Sequence, residues 1–249
     1  MPASAPDGGF CGGGAGSRPD WREAGDYAWL LDASRWAFAW EWLRRLDEYR
    51  DCWGDAFARF GLLGPVDPCL DARVARPLWS ASVDRSVLSC VVGGAGDSFD
   101  VAVLGGLASM VGGDGVEHWL LSDGLRALRV DLRDGTLGAG PAPLRFFVDG
   151  LVSGEPALLA LRRLSVVART GRFGGTLFAR EPRADRWVLA LRVRDALVAG
   201  AGQREIAGVL FDISPARWRV AAPSFRLRVQ RLVALARRSL IAGSAPWLT

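Results

Sequence analysis

The fold of the C-terminal third is decided by residues 223–241, which read PSFRLRVQRLVALARRSLI. Pro223 and Ser224 suit the start of a helix, because proline is tolerated in the first turn and a serine side chain can accept a bond from an orphan backbone N–H. Apolar residues then recur at the spacing of one helical face, which predicts a helix over 225–241. Its apolar stripe is formed by Val229, Leu232, Val233, Ala236 and Leu240.

Arginine and glutamine occupy the two flanks of this predicted helix. The flanks consist of Arg226, Gln230 and Arg237 on one side of the stripe and of Arg228, Arg231 and Arg238 on the other. An apolar stripe fixes a helix on its supports, while exposed Arg and Gln side chains reach phosphates and base edges. A basic amphipathic helix that only closes a domain would show the same pattern, so this helix alone leaves both interpretations open.

Two shorter helices are predicted upstream. Asp185 is suited to cap a helix over 185–199, which the Gly200-Ala201-Gly202 run ends. A second helix is predicted over 203–211, where Ile206, Ala207 and Leu210 would be buried and the small alanine permits a close helix crossing. A short helix followed by a basic helix predicts a helix-turn-helix-like module.

A second register for this module is open. The run from Glu205-Ile206-Ala207 to Ser214-Pro215-Ala216 also follows the bacterial helix-turn-helix pattern, with Ser214 as a cap, although its turn is one residue longer than usual and Pro223 would end the helix early. The sequence favours 225–241 as the DNA-facing helix. The predicted DNA contacts are Arg204, Arg217, Arg219, Ser224, Arg226, Arg228, Gln230, Arg231 and Arg238.

The charge distribution indicates a polyanionic partner for the C-terminal part. All 31 basic residues are arginine, and the formal net charge is +4. Residues 155–249 carry 17 Arg against 6 acidic residues, whereas residues 1–154 carry 14 Arg against 21. Such an asymmetry is typical of a nucleic-acid-binding region, although a solvated basic face would also produce it.

The chain as a whole predicts an α+β fold. It divides into a disordered tail over 1–18, a small Trp-rich helical unit over 19–60, a proline-containing linker over 61–77, a small antiparallel β-sheet over 78–154 and an Arg-rich helical DNA-binding domain over 155–249. In the helical unit Trp36, Trp40 and Leu43 share one face, with nearby charges expected to face solvent. The tryptophans are interpreted as core, with a docking surface for another subunit as the alternative.

Strands in the middle region are predicted from short apolar or alternating runs. These runs are 87–92, 99–104, 118–122, 125–133 and 144–148. Asp123-Gly124 is predicted to form a type I′ hairpin turn. The run 125–133 alternates as a half-buried strand does, with Arg129 facing outward. A helix with proline at its start is predicted over 156–169.

The residue types argue against an enzyme. The chain has one histidine, His118, which is interpreted as structural, and four cysteines without a CxxC pair. Zinc sites need clustered Cys and His ligands, so no metal, catalytic residue or cofactor is predicted. The longest uncharged stretch, 101–113, is too short to span a membrane. We expect a cytoplasmic protein without a membrane partner.

Two sets of motifs resemble known families. Residues 19–22, Tyr27 and residues 40–50 resemble the proteobacterial transcriptional regulator-like domain. Residues 186–192, 194–197, 203–207, Trp218 and 227–233 are similar to the C-terminal domain of unknown function found with it on integrative and conjugative elements. This chain departs from the family pattern at Gln230, where a basic residue is commoner, and over residues 91–115, which are unusually glycine-rich.

The resemblance implies an activator of excision, transfer or secretion genes. Short single-domain relatives of these families act as antiactivators that bind another regulator, which is the alternative expectation. The implied partners are double-stranded DNA and either RNA polymerase or another regulator, with a homo-oligomer as the expected assembly.

Overall fold

A computed structural model describes residues 19–214 and 223–241. The N-terminal unit is helical, as predicted, and begins with a 3-10 helix, Ala24–Asp32. It continues with helices α1 (Arg35–Leu43) and α2 (Asp47–Arg50) and a 3-10 turn over Phe57–Phe60. Every residue of α1 from Ala37 to Leu43 is buried, so this helix has neighbours on all sides and not on one face as predicted.

Residues 61–77, predicted as a linker, fold against the N-terminal unit. Helix α3 (Ala72–Ala75) lies in this stretch, and Leu62 pairs with Trp79 in an isolated antiparallel bridge. The indole Nε1 of Trp40 donates to the Leu70 carbonyl at 3.0 Å, and the Tyr49 hydroxyl donates to the Val66 carbonyl at 2.7 Å. The buried tryptophans of α1 therefore belong to a core that this stretch helps to close.

The middle region forms one six-stranded sheet. Its strands are β1 (Leu88–Val92), β2 (Ser98–Phe99), β3 (Ala108–Gly113), β4 (Val116–Ser122), β5 (Ala127–Leu132) and β6 (Ala142–Phe147), in the order β2-β6-β1-β5-β4-β3. The predicted antiparallel sheet is wrong in one respect, because β1 pairs with β5 in parallel. Alternating hydrophobicity does not encode the direction of a neighbour, and the long chain between these two strands leaves room for a crossover.

Three local predictions in this region are also corrected. The predicted strand over 99–104 is only the short β2 followed by a 3-10 helix, Val101–Leu107. A type I′ turn needs positive φ at both central residues, and of the Asp123-Gly124 pair only Gly124 has one, at 90°. Arg129 was expected to face outward but is 3% exposed, with Nη2 donating to Asp131 Oδ1 at 2.8 Å.

Helix α4 (Glu155–Thr170) covers the sheet and, like the predicted helix, has a proline in its first turn. It packs against β1 and β5. Its buried face, formed by Ala157, Ala160, Leu164 and Val167, completes a hydrophobic core with strand residues such as Leu88 and Leu132.

The C-terminal region contains α5 (Ala184–Val198), α6 (Gln203–Phe211) and α7 (Pro223–Ile241). Helix α5 starts one residue before Asp185, so Arg183 and not Asp185 is the N-cap. These helices share a second, larger core with the N-terminal unit, which contains Trp40 and Trp42 together with Leu191 and Ile206. Two regions far apart in sequence therefore form one hydrophobic core.

Candidate nucleic-acid interface

Helix α7 is anchored by the apolar stripe that the sequence predicts. Val229 and Ala236 are fully buried, and Leu232 and Val233 are each 5% exposed. The helix packs on α5 and α6. The side chain of Leu240, the fifth predicted stripe residue, lies outside the described residues. Burial of one stripe fixes which side of α7 faces solvent.

The predicted DNA contacts lie on the solvent side of α6 and α7 wherever the structure describes them. The exposed ones are Arg204, Ser224, Arg226, Arg228, Gln230 and Arg231. Arg217 and Arg219 lie outside the described residues, as does the Arg238 side chain. The second helix of the alternative register would follow Ser214, so it also lies outside the described residues.

Arg228 is held in place by the preceding helix. Its guanidinium carbon lies 4.4 Å from the ring centroid of Phe211, the last residue of α6, and the Phe211 and Phe225 rings are 6.0 Å apart. An arginine over an aromatic face keeps its N–H edge free to donate to a phosphate or a base edge. The contact thus joins the two helices and limits the conformations of an exposed cation.

The start of α6 carries a cation and a neutralised acid. Arg204 is exposed, and the neighbouring Glu205 accepts a bond from Arg22 Nη2 at 2.7 Å, with both side chains nearly half exposed. Since Arg22 offsets the charge of Glu205, the α6 end of the surface keeps the positive charge of Arg204. An exposed pair of this kind adds little stability.

A buried ion-pair network joins α1 to α5. Nε of Arg45 lies 2.9 Å from Asp195 Oδ1, and its Nη2 lies 2.9 Å from Oδ2, so the pair is bidentate. The Tyr27 hydroxyl donates to Oδ2 of the same carboxylate at 2.8 Å. The Arg45 and Asp195 side chains are 3% and 7% exposed. Charge-assisted bonds of this geometry are strong and directional.

The environment of Asp195 favours its ionised form. Burial alone would raise the pKa of this carboxyl, but the Arg45 charge and the hydrogen bonds from Arg45 and Tyr27 outweigh burial and hold the pKa below its usual value. Burial would lower the pKa of Arg45, but the charges of Asp195 and Glu41 and their hydrogen bonds outweigh burial and raise it. Both groups therefore stay charged inside the protein.

Glu41 extends this network within the N-terminal unit. Its Oε2 accepts from Arg45 Nη1 at 2.5 Å and from Arg44 Nε at 2.8 Å, and its Oε1 accepts from the Ala72 backbone N–H at 3.0 Å. Arg44 also donates to the Pro68 carbonyl at 3.1 Å. Two arginines are thus shared between two carboxylates and the backbone, which is the condition for tolerating charge in a core.

Aromatic and backbone contacts complete the junction between the N-terminal unit and α5. The rings of Phe38 and Trp187 meet edge to face at 5.0 Å. Arg192, also on α5, donates from Nε to the Trp21 carbonyl at 2.9 Å and from Nη2 to the Arg22 carbonyl at 3.0 Å. Polar side chains of α5 are therefore used to hold the N-terminal unit.

Sequence reasoning missed these junction residues, because it expected the charges of the N-terminal helical unit to face solvent and assigned no partner to the polar residues of α5. One signal was available. Residues 35–43 read RWAFAWEWL, and a helix that is apolar on nearly all sides is expected to be buried. A charge inside such a helix then needs a buried partner. The identity of that partner, Asp195, could not be read from local sequence.

Comparison with known protein families supports a transcription factor with a C-terminal DNA-binding domain. Residues 20–76 match the proteobacterial transcriptional regulator-like domain. Residues 150–244 match the RovC DNA-binding family, described as "T6SS, Transcription factor, DNA binding domain". The second match includes α4 to α7 and therefore the whole candidate interface. No curated protein and no solved structure matches the chain.

Three further observations bear on other functions. Within residues 19–214 and 223–241, no group of three or more His, Cys, Asp or Glu side chains could hold a metal ion. His118 contacts Asp131 across β4 and β5, with Nδ1 2.8 Å from Oδ1. Over the same described residues, no helix is both long and apolar enough to cross a membrane.

Proposed function

We propose that this chain is a transcriptional activator that contacts DNA through α6 and α7 and has no catalytic activity. The observation that carries the proposal is the two-sided construction of α7. One side is buried against α5 and α6, and the other presents Arg226, Arg228 and Arg231 to solvent. The match of residues 150–244 to a DNA-binding domain supports the same assignment.

The proposed targets are secretion genes or genes of an integrative and conjugative element. The description of the matched family supports the first, and the motif resemblance supports the second. A homo-oligomer that also contacts RNA polymerase or another regulator is proposed as the working assembly. Genome-wide DNA occupancy of the tagged protein in its host would identify the genes.

Replacing Arg228 and Arg231 by Ala tests the DNA-contacting surface. If both contact phosphates, the double variant should bind promoter fragments more weakly. The slope of log K against log salt is negative, and it should become shallower by roughly 1.8, at about 0.9 per lost contact. The control is Arg133→Ala with Arg162→Ala, which removes the same charge from exposed positions on β5's end and on α4.

The control pair should leave the slope unchanged. Equal affinity and slope for wild type and the folded Arg228/Arg231 variant would reject this surface. A protein that shifts no promoter fragment but co-purifies with another regulator would instead support the antiactivator alternative.

A further inference from the structure

A cavity of about 980 Å³ lies where three parts of the fold meet. The N-terminal unit contributes residues 32–36 and 59–61, and the sheet with α4 contributes residues 82–86, 126–127 and three α4 side chains. The third wall is residues 178–182, which lead directly into α5. The volume is at the upper end of the range of small-molecule sites, which lie typically between parts of a fold.

The walls combine apolar surface with positive charge. Trp36, Phe60, Leu159 and Phe178 are among the apolar side chains, while six arginines face three acidic residues. Several of these arginines already pair with carboxylates, as Arg35 does with Glu181 at 3.3 Å. The unpaired positive charge of the lining therefore depends on the arginines that have no carboxylate partner.

Arg85 and Arg163 are the lining arginines without an ion pair among the described residues, and Arg163 is the less exposed of the two. It projects from α4, its Nε donates to the Leu177 carbonyl at 2.9 Å, and its guanidinium carbon lies 4.7 Å from the Phe178 ring centroid. Among the described residues, no carboxylate lies within salt-bridge distance of it. Burial lowers the pKa of Arg163, which reflects a positive charge that is partly removed from water.

The carboxylate that acts electrostatically on Arg163 is Asp84, which is itself 2% exposed. Its Oδ1 accepts from the Ser86 hydroxyl at 2.6 Å and from the Ser86 backbone N–H at 2.8 Å. Burial raises the pKa of Asp84 in spite of these bonds, so its negative charge is disfavoured. Asp84 is thus a poor counter-ion, and Arg163 is held by a carbonyl and a ring.

We propose that this cavity binds an anionic small molecule whose acidic group pairs with Arg163 and whose apolar body lies against Trp36, Phe60 and Phe178. The cavity walls include the N-terminal unit and the segment that enters α5. A bound molecule would therefore change the position of the N-terminal unit relative to α5, the helix on which the DNA-contacting surface packs. This regulatory consequence rests on the proposed function, whereas binding itself does not.

The test uses the full chain and 8-anilinonaphthalene-1-sulfonate, an anionic aromatic probe that fluoresces in apolar sites. Arg163→Gln should weaken probe binding about tenfold, because a charge-assisted contact is lost. Arg162→Gln is the matched control, since Arg162 is exposed on the same helix and does not line the cavity. Leu159→Trp fills the cavity without changing charge and should also reduce binding.

Competition distinguishes a specific anion site from a general apolar surface. Octanoate should displace the probe, whereas octylammonium, with the same chain length and opposite charge, should not. Equal probe binding by all three variants and wild type, with thermal unfolding confirming that they are folded, would overturn the site. Equal displacement by octylammonium would overturn the role of Arg163.

A gel-shift arm separates this inference from the proposed function. If octanoate changes promoter affinity in wild type but not in Leu159→Trp, the site regulates DNA binding. If no DNA is bound at all, the probe measurements still decide whether the cavity takes an anion. Probe binding with unchanged promoter affinity would refute the regulatory consequence alone.

Discussion

Replacing Asp195 by Asn should destabilise the protein far more than the same substitution at a surface position of α5. Asp195 accepts bonds from Arg45 and from Tyr27, and its side chain is 7% exposed. Asparagine has nearly the same shape but no charge, so the variant keeps the packing and removes one counter-ion of Arg45. The guanidinium stays buried, which is the costly part of the change.

The structure sets the expected magnitude. Removing one partner of a buried pair costs about 3–5 kcal/mol. Glu41 still contacts Arg45, and the Asn oxygen still accepts one bond, so we expect the low end, about 3 kcal/mol. For a chain of this size each kcal/mol lowers Tm by about 2–4 °C, which predicts a loss of roughly 6–12 °C.

Asp185→Asn provides the matched control. Asp185 is in the first turn of the same helix, its side chain is 75% exposed, and it pairs with Arg180 at 2.9 Å. Such a surface pair is worth about 0–1 kcal/mol. Urea unfolding followed by tryptophan fluorescence reports on the core in question, because it contains Trp40, Trp42 and Trp187.

A double-mutant cycle checks that the effect belongs to the pair. Arg45→Met combined with Asp195→Leu removes both charges and should cost less than the sum of the single changes, since neither member of the pair is left buried without the other. The reasoning is refuted if Asp195→Asn costs no more than Asp185→Asn, or if the two changes at the pair are simply additive.

Three further predictions follow from burial and charge. The pKa of Asp195 is lower in the folded protein than in the unfolded chain, where it is about 3.9. The ionised carboxylate therefore stabilises the fold above that unfolded pKa, and this stabilisation is lost as pH falls through the lower folded value. In urea titrations the difference in stability between wild type and Asp195→Asn should close below about pH 4. Leu232→Ala should cost about 2–5 kcal/mol, whereas Leu227→Ala, at a position 46% exposed, should cost under about 1 kcal/mol by the same assay, and equal losses would contradict the orientation of α7. Burial raises the pKa of Cys90 to about 12, so iodoacetamide at pH 8 should label the partly exposed Cys52 and spare Cys90 in peptide mapping; rapid labelling of Cys90 in the native protein would show that its core opens.

Elements whose signal is local could be predicted closely. The predicted helix over 203–211 has the bounds of α6, and the predicted 225–241 helix differs from α7 only at its start. Helical periodicity and glycine punctuation lie within these segments, so no distant contact is needed to place them. The same holds for the solvent side of α7, which follows once its stripe is assigned to a core.

Features that depend on distant partners could not be predicted. The parallel pairing of β1 with β5 is set by the path of the chain between them, which alternation does not record. The burial of Arg45 depends on Asp195, which is 150 residues away in the sequence. The burial of Arg129 depends on its position inside the sheet. For both arginines local polarity indicated solvent exposure, but Arg45 pairs with Asp195 from another helix, and Arg129 pairs with Asp131 of its own strand inside the sheet.

The position of α5 gives the N-terminal unit a structural role in the candidate interface. One side of α5 meets the 3-10 helix Ala24–Asp32 and the Arg45 guanidinium, and α5 also packs against α7. The orientation of the exposed arginines of α7 is therefore fixed relative to the N-terminal unit through α5, and the Arg22–Glu205 pair adds a contact between that unit and α6. Because a directional, bidentate ion pair tolerates little sliding, a shift of the N-terminal unit must either break the Arg45–Asp195 pair or move α5 with it. A partner that shifted the N-terminal unit would then act through α5 on α7, the helix that we propose contacts DNA.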